Sequence, residues 1–216
     1  MVNFGKLLKE KEGFLLSTYS LLIVQLSITF FMVYAFRNNK IFNKVTKQSF
    51  IVYFLLTFGL ILILSFVPMP IWLKLIIFTV FAIVTGGMLH NASIAVSVNI
   101  INNALYGAIS IFVAMTVFAF ILAAMGIDLS WMMIILLAAL IGLIIASLLV
   151  MFLASKDSKL QKAVLIFGLI LFSIFVIVYT NTILQPDYNE NFVNAAISFY
   201  LDFVNIFSSI LALEQD

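Results

Sequence analysis

The residue in this sequence best placed to do chemistry is an aspartate in the middle of a long apolar run, Asp202 within Phe192–Leu213. A carboxylate at that depth in a membrane helix costs about 2.5–3.5 kcal/mol on insertion scales, so its presence asks for either a function or a partner. Asn194, Ser198, Asp202, Asn205 and Ser209 follow one another at intervals of 4, 4, 3 and 4, which puts them on one face of a helix. Ile197, Phe199, Leu201, Phe203, Val204 and Phe207 make the opposite, apolar face, able to meet lipid or neighbouring helices. One reading is a helix lining a polar pathway, with Asp202 binding a cation or exchanging a proton. The other is a buried aspartate acting as interhelical glue.

Other polar residues interrupt the apolar runs. Tyr179, Thr180, Asn181 and Thr182 close the sixth run, an Ile/Leu/Phe segment. Their oxygens suit a hard cation, which prefers carboxylate, carbonyl and amide ligands. Equally, the span simply reaches the interface there, where tyrosine is at home. His90 follows Thr85-Gly86-Gly87 in the third run. It is a possible pH sensor by its titration range, or a hydrogen-bonded structural residue, and the glycines allow close helix approach or a local break. Gln25 and Thr29 share a face of the first run, a spacing suited to bonds between helices.

Catalytic arrangements are excluded one by one. The chain has no cysteine and a single histidine, which removes disulfides, thiolate nucleophiles, iron–sulfur ligation and a poly-His or thiolate zinc site. An intramembrane serine protease needs a serine elbow beside His90, and there is none. An aspartyl dyad needs a second acid in the spans, and Asp202 stands alone. A retinal protein needs a lysine in the last span, which carries none. The expectation is no enzyme, no catalytic residue, no resident metal and no cofactor.

The elements that must position these residues are set by composition. Of 216 residues, 65% are hydrophobic, about 140, and only 9% are charged. Soluble domains run near 25% charged, and about 140 apolar residues supply about seven stretches of the roughly 20 needed to cross a bilayer. Soluble enzymes, nucleic-acid binders and disordered chains are excluded. The expected fold is an all-α integral membrane protein, a single seven-transmembrane-helix bundle over 1–216. Its spans fall at about 14–36, 50–67, 72–96, 104–125, 130–154, 163–184 and 192–213, after a polar tail over 1–13. The links between them are short: Arg37–Ser49 is the longest, and Pro68–Ile71, Gly126–Leu129, Ser155–Lys162 and Gln185–Asn191 are tight. The first run is too long for a signal-peptide core and lacks a small-residue cleavage site after it, so it reads as a retained span.

The net charge of +2 is small, and the 11 basic residues lie between apolar runs, where they act as topology signals rather than a phosphate-binding patch. Lys6, Lys9, Lys11 and Lys74 fall on the amino-terminal side of seven crossings; Arg37, Lys40, Lys44, Lys47, Lys156, Lys159 and Lys162 fall on the other. That balance leans towards an outside amino terminus.

Phe199-Tyr200-Leu201-Asp202-Phe203-Val204-Asn205-Ile206-Phe207 resembles the last-helix motif of the Bax inhibitor-1 family, close to LYLDFxNLF. Weaker agreements run through Tyr19 to Leu26, Thr85-Gly86, Ala104–Ser110 and Asp128-Leu129-Ser130, so the resemblance spans roughly 14–213. It implies a pH-sensitive calcium leak channel, with calcium as the transported ion and an association with cell-death suppression in eukaryotes. It also implies a cytoplasmic amino terminus, against the charge balance. In the family, aspartates on the last two helices form gate and proton sensor. Asp202 matches the second of them; at the first, Tyr179 is followed by Thr180, which cannot ionise, so a carboxylate dyad cannot form at those positions. The pathway residues expected are Asp202, Ser198, Asn205, Thr180 and Asn181, with Asp202 and His90 as pH sensors. The alternatives are a non-conducting membrane regulator acting through protein partners, whose identity the sequence leaves unknown, and a proton-coupled transporter of a small solute. The expected surroundings are a lipid bilayer and no nucleic acid: a bacterial-type cell membrane, or an intracellular one if the source is eukaryotic or viral.

Overall fold

The computed structural model describes residues 4–37, 47–153 and 158–215, and within these the side chains outside 47–50, 151–153 and 158. Among the described residues there are seven helices: α1 Phe4–Arg37, α2 Lys47–Phe66, α3 Ile71–Ser93, α4 Val98–Ala124, α5 Met132–Leu153, α6 Ser158–Ile183 and α7 Phe192–Leu213. Helix is the form that pairs every backbone N–H and C=O within its own segment, which hydrocarbon demands. Side-chain hydroxyls obey the same demand by bonding back to the carbonyl four residues earlier, as Ser27 does to Ile23, Thr79 to Leu75, Ser147 to Leu143 and Ser173 to Leu169.

Six helices are long and apolar enough to cross a membrane by length and composition. The expectation of seven spans is met in part, because the apolar portion of α2, Ile51–Phe66, is shorter than the other six. Several boundaries also move. The polar tail is helical from Phe4, α4 begins at Val98 rather than near 104, and α6 begins at Ser158 rather than near 163. The reason is common to all three: hydropathy marks only what fits in hydrocarbon, while a helix runs on into the headgroup layer wherever Lys, Glu or Asn can face water. The links at 38–46 and 154–157, with Lys40, Lys44 and Lys156, lie outside the described residues.

The chain forms two compact units. One contains Gly13–Val98 and Glu190–Tyr200, hence most of α1, all of α2 and α3, and the first part of α7. Inside it α2 packs on α3, and Gly86 and Gly87 explain how closely. A Cβ at Gly86 would lie 2.7 Å from both the Met32 Cβ and the Thr29 carbonyl of α1, and one at Gly87 would lie 2.5 Å from the Tyr53 ring of α2. The glycine pair therefore gives close approach on two sides of an unbroken α3. Arg37 closes the far end of α3, donating to the carbonyls of Ser93 (3.2 Å) and Val96 (2.7 Å), where a cation also suits the helix dipole.

The other unit contains Met1–Glu12, Asn99–Asn189 and Leu201–Asp216. In it α5 packs on α6, and α4 ends in a Schellman turn. Gly126 takes φ +78°, Gly126 N–H bonds to Ala123 O and Ile127 N–H to Leu122 O, both at 3.0 Å. Of the six long helices α7 is the most buried and α5 the least. The apolar face of α7 therefore meets protein: Ile197, Phe199, Phe203, Val204 and Phe207 are all buried.

Candidate functional site

Asp202 lies on the part of α7 that belongs to the second unit, 7% exposed. Phe203 beside it meets Phe112 of α4 edge-on, ring centroids 5.9 Å apart, and two turns further Ile210 packs over Gly107, where a Cβ would come within 3.2 Å. Small residues on α4 and large ones on α7 thus fix the helix that carries the acid. Asn205 donates to the Leu201 carbonyl of its own helix at 2.8 Å. The polar stripe is divided between the units: Asn194 and Ser198 fall in the first, Asp202, Asn205 and Ser209 in the second. Asn194 accepts from Lys74 of α3, and Ser198 is half-buried.

The end of α6 is built differently. Thr180 is fully buried, and its hydroxyl has no partner among the described residues, unlike the many hydroxyls that bond back along their helices. Its neighbours in sequence are both tied to loops. Asn181, also fully buried, donates to the Ile127 carbonyl (2.9 Å) and accepts from the Leu129 N–H (2.8 Å), so its amide pairs with the turn after Gly126 as a strand neighbour would. Gln185 donates to the same Asn181 side-chain oxygen at 3.1 Å. Tyr179 hydrogen-bonds the Tyr188 hydroxyl at 3.1 Å, and the Tyr188 carbonyl accepts from Lys11 Nζ at 2.9 Å. The Lys11 amine also lies 5.5 Å from the centre of the Tyr188 ring. Burial pulls the Lys11 amine below the usual lysine value, against the opposing pull of Asp187 and Glu10. Thr182 bonds back to the Val178 carbonyl of its own helix at 2.8 Å.

In the first unit, His90 is buried, with its ring tilted against Phe36 at 6.1 Å. Gln25 and Thr29 make bonds between helices. Gln25 donates to Thr79 at 3.1 Å, and Thr29 bonds the Ala82 carbonyl at 3.0 Å and the Tyr200 hydroxyl at 2.6 Å. With Tyr200 as donor, the single Thr29 proton is shared between the Ala82 carbonyl and the Gln25 carbonyl of its own helix, both at 3.0 Å. Sequence reading missed Tyr200, Lys11, Lys74 and Tyr188 as bonding residues. Thr29 and Tyr200 are 171 positions apart, and Lys11 and Tyr188 are 177 apart, so no local pattern joins them.

Long apolar helices, with polar groups paired between them and an acid buried in the last, define an integral, multi-pass membrane protein. The family model described as inhibitor of apoptosis-promoting Bax1 matches residues 11–214, nearly the whole chain. The chain belongs to the Bax inhibitor-1 family. Comparison with curated proteins gives no match.

Proposed function

We propose that this chain is a pH-sensitive calcium leak, with Asp202 in the pathway, Ser198, Asn205, Thr180 and Asn181 along it, and Asp202 and His90 as its proton-responsive groups. The observation that carries the reading is an aspartate buried in mid-span of the last helix, where an acid marks an ion or proton site by default. The orphan hydroxyl of Thr180 supports the same reading, since a buried polar atom without a protein partner calls for water or an ion. Among the described residues no three acidic or histidine side chains gather into a metal site. A calcium ion at Asp202 would keep most of its waters and leave readily, which conduction requires and storage does not. We read α2 as the seventh crossing, because Lys47–Phe66 at 1.5 Å per residue is about 30 Å long.

The test is calcium influx into liposomes holding the purified protein, from pH 5 to 8, for wild type and Asp202→Asn. Asparagine is a permanent stand-in for the neutral acid. Wild-type flux is expected to fall as pH falls and to approach the flux of Asp202→Asn, and any pH response left in that variant is the part that His90 supplies. With Thr180 where a second acid would repel the first, the Asp202 part of the response should follow a single proton, without cooperativity. No wild-type flux at any pH from folded protein overturns the leak. A second reading, a non-conducting regulator acting through protein partners, is favoured by the amides of Asn181 and Asn205, both already bonded to protein. It expects no flux and a loss of thermal stability when those amides are removed.

A further inference from the structure

Lys11 precedes the apolar part of α1, yet its amine reaches across to the loop between α6 and α7 and holds the Tyr188 carbonyl at 2.9 Å. Tyr188 in turn holds Tyr179 through the paired hydroxyls, their rings set edge to face with centroids 6.4 Å apart. Lys11 is half-buried, so this is no solvated surface lysine, whereas Lys9, two residues earlier, is exposed. Tyr179 and Asn181 flank Thr180, whose hydroxyl, like those of Thr18, Thr85 and Thr116, has no partner among the described residues, and each is tied to a different loop. The end of α6 is thereby fixed from two directions, and one of the two ties comes from the segment Met1–Glu12, which clusters with this unit rather than with the rest of α1.

We infer that Lys11 is the buckle of a strap: the segment ahead of the first span binds the α6–α7 loop through Lys11 and Tyr188 and holds water away from Thr180. The inference rests on the leak reading for its purpose, since the strap would then set how often the pathway opens past Thr180. Its physical content is separate, namely that releasing Lys11 admits water to that position. A lysine-to-carbonyl bond is charge-assisted and worth more than a neutral one, so its loss should raise the open fraction of the loop about tenfold. Tyr188→Phe, which removes the hydroxyl tie to Tyr179 and keeps the carbonyl that Lys11 holds, should have a smaller effect in the same direction.

The chain contains no cysteine, so a single introduced thiol reports without background. Thr180→Cys, close in volume and costing no existing hydrogen bond, would be reconstituted in liposomes and labelled with a membrane-impermeant methanethiosulfonate. Adding Lys11→Met, which keeps the aliphatic stem and drops the amine, should speed labelling about tenfold, and Lys9→Met should leave it unchanged. Equal labelling in the Lys11→Met and Lys9→Met backgrounds overturns the strap. Should Thr180→Cys fail to fold, amide hydrogen exchange over 185–191 in the cysteine-free protein decides instead. Faster exchange in Lys11→Met than in wild type supports the strap, and identical exchange overturns it. Calcium flux of wild type and Asp202→Asn, in the same liposomes, judges the leak by itself. A silent wild type whose labelling still answers to Lys11→Met removes the leak and keeps the strap as a water gate.

Discussion

A buried side chain in a membrane protein has to account for each of its polar atoms, and Asn181 and Tyr200 do so in opposite ways. Asn181 spends a donor and an acceptor on the backbone of one turn, which an acceptor-only carboxylate could not copy. Asn181→Asp keeps the acceptor for the Leu129 N–H and loses the donor for the Ile127 carbonyl, and Asn181→Leu loses both. The expected order of thermal stability in detergent is wild type, then Asp, then Leu, with about 1–3 kcal/mol lost at the last step. Equal stability of all three would show that the turn holds without its clamp. The Tyr200 hydroxyl meets the Thr29 hydroxyl at 2.6 Å, with the rings of Phe78 and Phe81 within 5.4 and 5.5 Å of its own. Packing there outweighs the hydrogen bond. Tyr200→Phe should cost about 1 kcal/mol, in the range seen for bonds between membrane helices. A double-mutant cycle with Thr29→Val isolates the shared part, and a coupling of zero would mean the two hydroxyls act independently.

Helices acquire their neighbours through the residues they leave small. Gly86 and Gly87 face occupied space, whereas Gly59 in α2 and Gly142 in α5 have nothing within 4 Å of where a Cβ would stand. Gly86→Ala drives a methyl into the Thr29 carbonyl, which is backbone and cannot swing aside, and should cost roughly 1–3 kcal/mol. Gly142→Ala adds helix propensity without a clash and should be neutral or stabilising by up to about 1 kcal/mol. Detergent melts of the two variants side by side check the contrast, and similar losses at both would remove the argument from close packing. The same contrast shows how much could be read ahead of the structure. Runs of apolar residues announced the helices, because hydrocarbon leaves the backbone no other form. They could not announce where the helices stop, since Lys6–Glu12 and Asn99–Asn103 are compatible with helix and with water alike. Asp202 and its stripe were legible, being polar residues at helical spacing in an apolar run. The ties that hold the far end of α6 were not, because Lys11 meets Tyr188, and Asn181 meets Ile127, only through the tertiary fold.

At the scale of the whole molecule, the exposed apolar residues are what distinguishes this chain from a water-soluble bundle. Ile134, Ile141, Ile144 and Ile145 on α5 are between 51% and 77% exposed, while Leu136 and Leu143 on the same helix are buried. In water such a surface would be an aggregation site; against lipid tails it is the solvated face. The buried and exposed sets of α5 are both aliphatic, so hydropathy cannot tell the protein-facing stripe from the lipid-facing one, and only packing separates them. That leads to a test in which the two faces respond to different chemistry. Leu143→Ala removes packing and should lower the melting temperature while leaving membrane insertion intact. Ile141→Arg removes no packing, yet places a charge where insertion scales assign about 2.5–3.5 kcal/mol against it, so the inserted yield should fall sharply. Fractionation of membranes followed by alkaline extraction would read the second effect, and melting of the extracted protein the first. Full insertion of Ile141→Arg with unchanged yield would show that this face of α5 meets water or a second protein instead of lipid.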